Sequence, residues 1–229
     1  MLAFAGGKGG TGKTTTALAF ARVLSAARTH DERGRPVTVV DADVDMPDVH
    51  AMVGVDRTPT VLECPCGRPV PSLSGVRVAP APPADATDAF ERTLSELRAP
   101  EGRSGGGDRN AARGRTRRCV VVDAPCGGGP DAARPLAAAD GVVLVTRPTP
   151  AAVRDTAKTA AMARALETPV AAAVVVGDRP PRALEDVLGT PRVVTVPVVD
   201  DDPLTAPAHR AAMGRLWAAL RRGRHLFTE

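Results

Sequence analysis

Met1-Leu2-Ala3-Phe4-Ala5, followed by Gly6-Gly7-Lys8-Gly9-Gly10-Thr11-Gly12-Lys13-Thr14-Thr15, is the stretch that decides the fold. A short apolar run feeds a glycine-rich turn, and Ala17, Leu18, Ala19 and Phe20 continue it as a helix-forming stretch. That strand, loop and helix context is what a phosphate-binding loop requires. From Gly7 to Gly12-Lys13-Thr14 the spacing satisfies G-x-x-x-x-G-K-[ST]. Glycines let the backbone curl so that successive N–H groups point at phosphate oxygens, and the helix beginning near Lys13 adds partial positive charge. Phosphates are therefore expected against Gly7, Gly9, Gly10, Thr11, Gly12, Lys13, Thr14 and Thr15. Lys13 is expected to reach the β- and γ-phosphates, and Thr14 to place its hydroxyl on Mg²⁺, which takes hard oxygen ligands.

Two apolar runs end in carboxylates. Pro36-Val37-Thr38-Val39-Val40 leads into Asp41-Ala42-Asp43-Val44-Asp45-Met46-Pro47-Asp48, and Cys119-Val120-Val121-Val122 leads into Asp123-Ala124-Pro125-Cys126-Gly127-Gly128. Both read as buried strands. A carboxylate at the C-terminal end of a parallel strand faces the crevice where open α/β sheets bind ligands. Asp123 is placed to hold Mg²⁺ through water without a flexible stem. Asp45 and Asp48 read as a polar loop with an N-cap for the short run 49–53.

The three strings, in this order, resemble those of the MinD/ParA family of deviant Walker A P-loop ATPases, in its Mrp/MinD-like branch. Lys8 carries the resemblance most specifically, in Lys-Gly-Gly-Thr-Gly-Lys-Thr-Thr. The resemblance implies that Lys8 crosses a dimer interface to touch the phosphates held by the facing subunit. ATP would then hold a homodimer together; the other reading of Lys8 is a solvated lysine that only adds positive potential. By the same carry-over Asp41 would hold the Mg²⁺ water shell and Asp43 would orient or deprotonate the attacking water. Segments 43–48 and 124–128 would be switches I and II, where an unidentified activator protein would press. Lys8, Lys13 and Asp43 are thus the catalytic set, Thr14, Asp41 and Asp123 the metal set, and ATP with Mg²⁺ the cofactors. The implied activity is slow ATP hydrolysis driving a dimerisation switch in spatial positioning, in cell division or in partitioning of DNA or other cargo.

The rest of the chain continues the alternation of a doubly wound, mostly parallel α/β sheet with helices on both faces. Gly141–Thr146, Val170–Val176 and Val193–Val196 read as strands and 150–166 as an alanine-rich helix, with Pro148 and Pro150 punctuating its start. After Val176 the chain gives Gly177-Asp178-Arg179, where relatives often carry an asparagine turn that hydrogen-bonds adenine. Length suits one domain over all 229 residues.

Composition narrows the partners. With no Tyr, one Trp and four Phe, the chain is poorly equipped to stack on single-stranded nucleic acid. Neither a long apolar span nor a signal-like segment is visible, so the expected location is the cytoplasm, with peripheral membrane or nucleoid association as an elaboration. Segment 101–118 holds six arginines against Glu101 and Asp108, a local net charge of +4 equal to that of the whole chain. Its glycines and arginines cannot bury enough apolar surface to order, so it reads as a disordered insertion: a spacer, or an electrostatic arm for DNA or anionic lipid. Along Pro207–Arg222, Met213, Leu216, Trp217 and Leu220 form one helical stripe opposite basic residues. That helix reads as the last cover of the sheet, with an anionic membrane surface as the alternative. Four cysteines, Cys64, Cys66, Cys119 and Cys126, are enough for a cluster, but Cys64-Pro65-Cys66 lacks the Cys-x-x-Cys spacing of cluster-carrying relatives. Ordinary reduced thiols are expected. An ATP-dependent metabolic enzyme, a metal-cluster carrier and a nucleotide-binding scaffold without turnover are the competing functions.

Overall fold

In β1 (Leu2–Ala5), Leu2 and Phe4 face one layer of buried side chains while Ala3 and Ala5 face the other. The same division by odd and even positions runs through β2 (Val37–Asp41) and β5 (Cys119–Asp123): Val39 and Val121 join the side of Leu2, and Val40 and Val122 the side of Ala3. Period-two alternation sends neighbours to opposite faces. Because both faces are covered, each of these strands is buried throughout and reads as a mostly apolar run. The structure, a computed structural model, describes residues 1–28, 36–99 and 118–222. The expected insertion at 101–118 lies, but for Arg118, outside them.

Between these strands lie α1 (Lys13–Arg28), α2 (Val49–Met52), β3 (Arg68–Pro69), β4 (Val76–Ala79) and α3 (Thr87–Arg98). After β5 come α4 (Pro130–Ala138), β6 (Gly141–Thr146), α5 (Pro150–Ala165) and β7 (Val170–Val176). The described chain ends with α6 (Leu184–Leu188), β8 (Val193–Val196) and α7 (Pro207–Arg222). The sheet order is β3-β4-β2-β5-β1-β6-β7-β8, parallel except for the β3–β4 pair. The expected doubly wound, mostly parallel sheet is thus the observed one. The chain leaves β1 through α1 to one side and crosses to the other after β5, so the sheet's switch point lies around β1, where open α/β sheets bind ligands.

Two layers of helix cover the sheet. On one face α1 and α7 contribute Leu18, Phe20 and Leu24, with Met213, Leu216 and Leu220, all buried. On the other, Phe90 and Leu94 of α3, Leu136 of α4 and Ala160 and Ala163 of α5 do the same. Burying each such large side chain contributes roughly 1.5–3 kcal/mol. Trp217 of α7 meets Phe20 edge-on at 6.4 Å between ring centroids, and Arg221 lies 5.7 Å over the Trp217 ring. The apolar stripe of α7 is therefore packed against α1 and the sheet, as expected of a covering helix. Among the described residues no helix is long and apolar enough to cross a membrane.

Candidate functional site

The glycine loop between β1 and α1 is shaped by what presses on it. A Cβ on Gly6 would sit 2.4 Å from the Val145 carbonyl oxygen, and one on Gly7 only 2.1 Å from the backbone carbon of Asp155 in α5. Both positions therefore exclude any side chain. Gly10 and Gly12 take φ values of +72° and +92°, a region that favours glycine. Gly9 has open space around it. Thr11 is buried, its hydroxyl donating to the Lys8 carbonyl at 3.2 Å. Thr16 donates to the Gly12 carbonyl from its backbone N–H at 2.9 Å and from its hydroxyl at 2.6 Å, starting α1. Lys13 is buried in the first turn, Thr14 and Thr15 are half-buried, and Lys8 is exposed at the loop's tip.

Asp41 and Asp123 close β2 and β5 in register, side by side. Burial pushes the Asp123 carboxyl up to about 8, against a hydrogen bond from Thr14; the Asp41 charge raises it further and Lys13 lowers it. Its Oδ1 is buried with no hydrogen-bond partner among the described residues. Burial likewise raises Asp41 to about 7, outweighing the backbone N–H groups of Asp43 and Val49 that lower it. Those amides donate to Asp41 Oδ1 at 3.1 Å and to Oδ2 at 3.2 Å. A carboxylate offers about four acceptor positions, so Asp41 retains capacity on both oxygens. Asp43 accepts from the Met46 N–H at 3.1 Å. Its carboxyl is also raised, by burial first, and lowered by that bond and by the charge of Lys13.

One expectation changes. Asp48 stands at the N-cap position of α2 but makes no side-chain capping bond. Asp41 satisfies the first amide of α2 instead, through Val49, because the chain folds back over the end of β2. Asp41 thereby ties the 43–48 segment to the sheet.

The 124–128 segment leaves β5 toward α4, with Gly127 at φ +107° and open space around Gly127, Gly128 and Gly129. Cys126 is exposed there, while Cys119 is buried in β5, and burial pushes its thiol up. Cys64 and Cys66 lie on the loop before β3. On the far side of the loop, Gly177 packs so tightly on Pro148 that a Cβ would come within 2.8 Å of the proline ring, and Asp178 is exposed.

Arg147, absent from the sequence reading, donates from Nε to the Gly10 carbonyl at 3.2 Å. Its only signal in sequence is a lone cation at the end of an apolar strand, before Pro148 and Pro150.

The arrangement presents amides, a buried ammonium and two desolvated carboxyls to one small space. Among the described residues no three His, Cys, Asp or Glu side chains form a metal cage. That donor set suits Mg²⁺, which keeps several waters and is held by one or two carboxylates together with phosphate oxygens. The orphaned Asp123 Oδ1 fits such a cation.

A family model described as the CobQ/CobB/MinD/ParA nucleotide binding domain matches residues 2–189. An uncharacterized ATP-binding protein of Methanocaldococcus jannaschii is 28% identical over 218 residues, covering 88% of this chain and 74% of its own. The Pyrococcus furiosus cell division ATPase MinD superposes with a TM-score of 0.71 at 22% identity, over 96% of this chain and 98% of its own. The septum site-determining protein MinD of Pyrococcus horikoshii, solved with Mg-ADP, gives 0.70 at 20% identity, over 97% and 95%. At such identities the two structures speak for the fold.

Proposed function

The chain belongs to the CobQ/CobB/MinD/ParA nucleotide-binding domain family, and from that premise we propose that it is a Mg²⁺-dependent ATPase that switches between a monomer and an ATP-held homodimer. The observation that carries this reading is the meeting of buried Lys13 with Asp43, two residues past the end of β2, and with Asp123, at the end of β5, beside a loop whose tip exposes Lys8. The ATP-binding relative and the MinD folds support the choice of nucleotide.

Lys13 and the amides of residues 9–14 bind the β- and γ-phosphates. Thr14 would hold Mg²⁺ directly, and Asp41 and Asp123 would hold it through water, so that the ion would neutralise phosphate charge. Asp43 orients the attacking water and takes its proton, a role suited to a carboxyl raised by burial and kept beside Lys13. The partner subunit's Lys8 stabilises charge that grows on the leaving phosphate. Because Asp41 and Asp43 accept the amides of Val49 and Met46, changes at the phosphates reach the exposed 43–48 segment. That segment and 124–128 are where an activator would act. The work done by such a switch is the positioning of cellular cargo, and its location the cytoplasm or a surface bordering it.

Solution mass with Mg²⁺ and no nucleotide, ADP or ATP tests the proposal. A dimer with ATP, lost in Lys8→Ala and accumulated in Asp43→Ala, is the expected result. A mass indifferent to nucleotide in all three proteins would overturn the switch.

A further inference from the structure

An anion-binding loop works when its N–H groups converge and its carbonyls diverge, because carbonyl oxygens repel phosphate. Alternate carbonyls of this loop are each held by a donor. Lys8 O accepts from the Thr11 hydroxyl, Gly10 O from Arg147 Nε, and Gly12 O from the backbone and hydroxyl of Thr16. Two of these ties are local. The third spans 137 residues and comes from the loop joining β6 to α5.

A trans peptide points its C=O and its following N–H in opposite directions. Fixing the Gly10 carbonyl on Arg147 therefore turns the Thr11 N–H away from Arg147. Thr11 is buried, and its N–H has no acceptor among the described residues. A buried, unpaired amide is costly, and a phosphate oxygen would satisfy it.

Arg147 is also electrically unspent. Arg68, Arg98 and Arg134 pair with Asp56, Asp140 and Glu91. Arg147 is exposed and forms no ion pair among the described residues, and its terminal nitrogens make no protein hydrogen bond there. Other arginines also end on backbone carbonyls, such as Arg77 on Cys66 and Gly67 and Arg215 on Thr195, but those carbonyls belong to no ligand loop. Such a guanidinium beside the loop adds positive potential where phosphates would sit.

We propose that Arg147 is a positioning residue for the phosphate loop, pinning the Gly10 carbonyl outward so that the Thr11 N–H faces the polyphosphate of the bound nucleotide, with its charge adding positive potential beside the loop. The inference rests on the nucleotide-binding reading above. Its ligand chemistry is the phosphate chain alone, indifferent to the base.

The test is calorimetric affinity for Mg-ATP and for magnesium tripolyphosphate, with the unfolding midpoint as a control, in wild type, Arg147→Ala, Arg147→Lys and Arg147→Gln. Losing a charge-assisted contact should weaken both ligands by about tenfold in Arg147→Ala. Arg147→Lys should recover part of the loss, and the unfolding midpoint should stay within about 2 °C of wild type. Should Arg147→Ala fail to fold, Arg147→Gln decides, since it keeps a donor for Gly10 but no charge: weakened binding of both ligands supports the proposal. Wild-type affinity in both neutral variants, or weakened ATP with unchanged tripolyphosphate, would overturn it. A wild type that binds neither ligand would overturn the nucleotide-binding reading and this inference together.

Discussion

Asp41 and Asp123 end neighbouring parallel strands in register, and the charge of one raises the carboxyl of the other within a buried pair. Adjacent strands lie about 4.8 Å apart, so two carboxylates here repel unless a proton, Lys13 or a cation intervenes.

Burial of these two carboxyls, more than their mutual repulsion, gives stability a pH dependence. Both carboxyls are raised in the fold, to about 7 and about 8, from an ordinary value of 3.8. The folded state therefore binds more protons than the unfolded state between those values. The contribution is fully present below the unfolded pKa and is lost as pH rises through the folded one. Without Mg²⁺, the unfolding midpoint should fall from about pH 5 to about pH 9 by several degrees. Asp123→Asn should flatten that fall and be the more stable protein at the alkaline end. A wild-type midpoint that rises over the interval would contradict the assignment.

Gly7 and Gly9 should respond oppositely. A Cβ at Gly7 collides with the backbone of Asp155, so Gly7→Ala must displace the loop or α5. A thermal or denaturant melt should show a loss of about 1–3 kcal/mol. At Gly9 there is open space and no positive φ, and Gly9→Ala should melt as wild type. If phosphates approach that backbone, ATP affinity nevertheless drops in Gly9→Ala, and an unchanged affinity would place the phosphates elsewhere.

Asp41 and Asp43 are neighbours with separable duties. Asp41→Ala orphans the N–H groups of Asp43 and Val49, each costing about 1–3 kcal/mol when buried, so it should lower the unfolding midpoint before any ligand is added. Asp43→Ala releases only the exposed Met46 amide. It should keep the midpoint and the affinity for ATP, while phosphate release falls by about 10²–10⁴-fold. Equal destabilisation by the two substitutions would show that the distinction is wrong.

The packing of α7 makes its own prediction. Leu216 is fully buried between α7 and the sheet, so Leu216→Ala should cost about 2–5 kcal/mol in a denaturant titration. Pelleting with anionic vesicles should not depend on Leu216 or Trp217 in the folded protein. Were α7 a free amphipathic helix, the substitution would be neutral in solution and would reduce pelleting.

The regions legible in sequence are those where one local rule acts alone. Valine-rich runs announced β2, β5, β6 and β7, since strands buried on both faces need no alternation, and the glycine spacing announced the loop. Other elements were silent. β4 has four residues with Arg77 among them, and β3 has two, too short for a pattern to emerge. α3 buries Phe90, Leu94 and Leu97 at helical spacing amid Asp88, Glu91 and Glu96, a stripe diluted by charge. α4 carries Pro135 in its interior, which argues locally against the helix that the surrounding layers impose.

By itself the sequence determined the loop, the two strands that end in Asp41 and Asp123, and hence the doubly wound class, because spacing and apolar runs act over a few residues. Which strands lie side by side belongs to the tertiary structure alone: pairing β2 with β5 sets Asp41 beside Asp123 across 82 positions of chain. The same holds for Arg147 on Gly10 and for Asp41 on Val49, where a polar group is satisfied by whatever the fold brings near. Desolvation, which raises both carboxyls, is likewise a property of assembled layers, since no stretch of chain can exclude water from its own side chains.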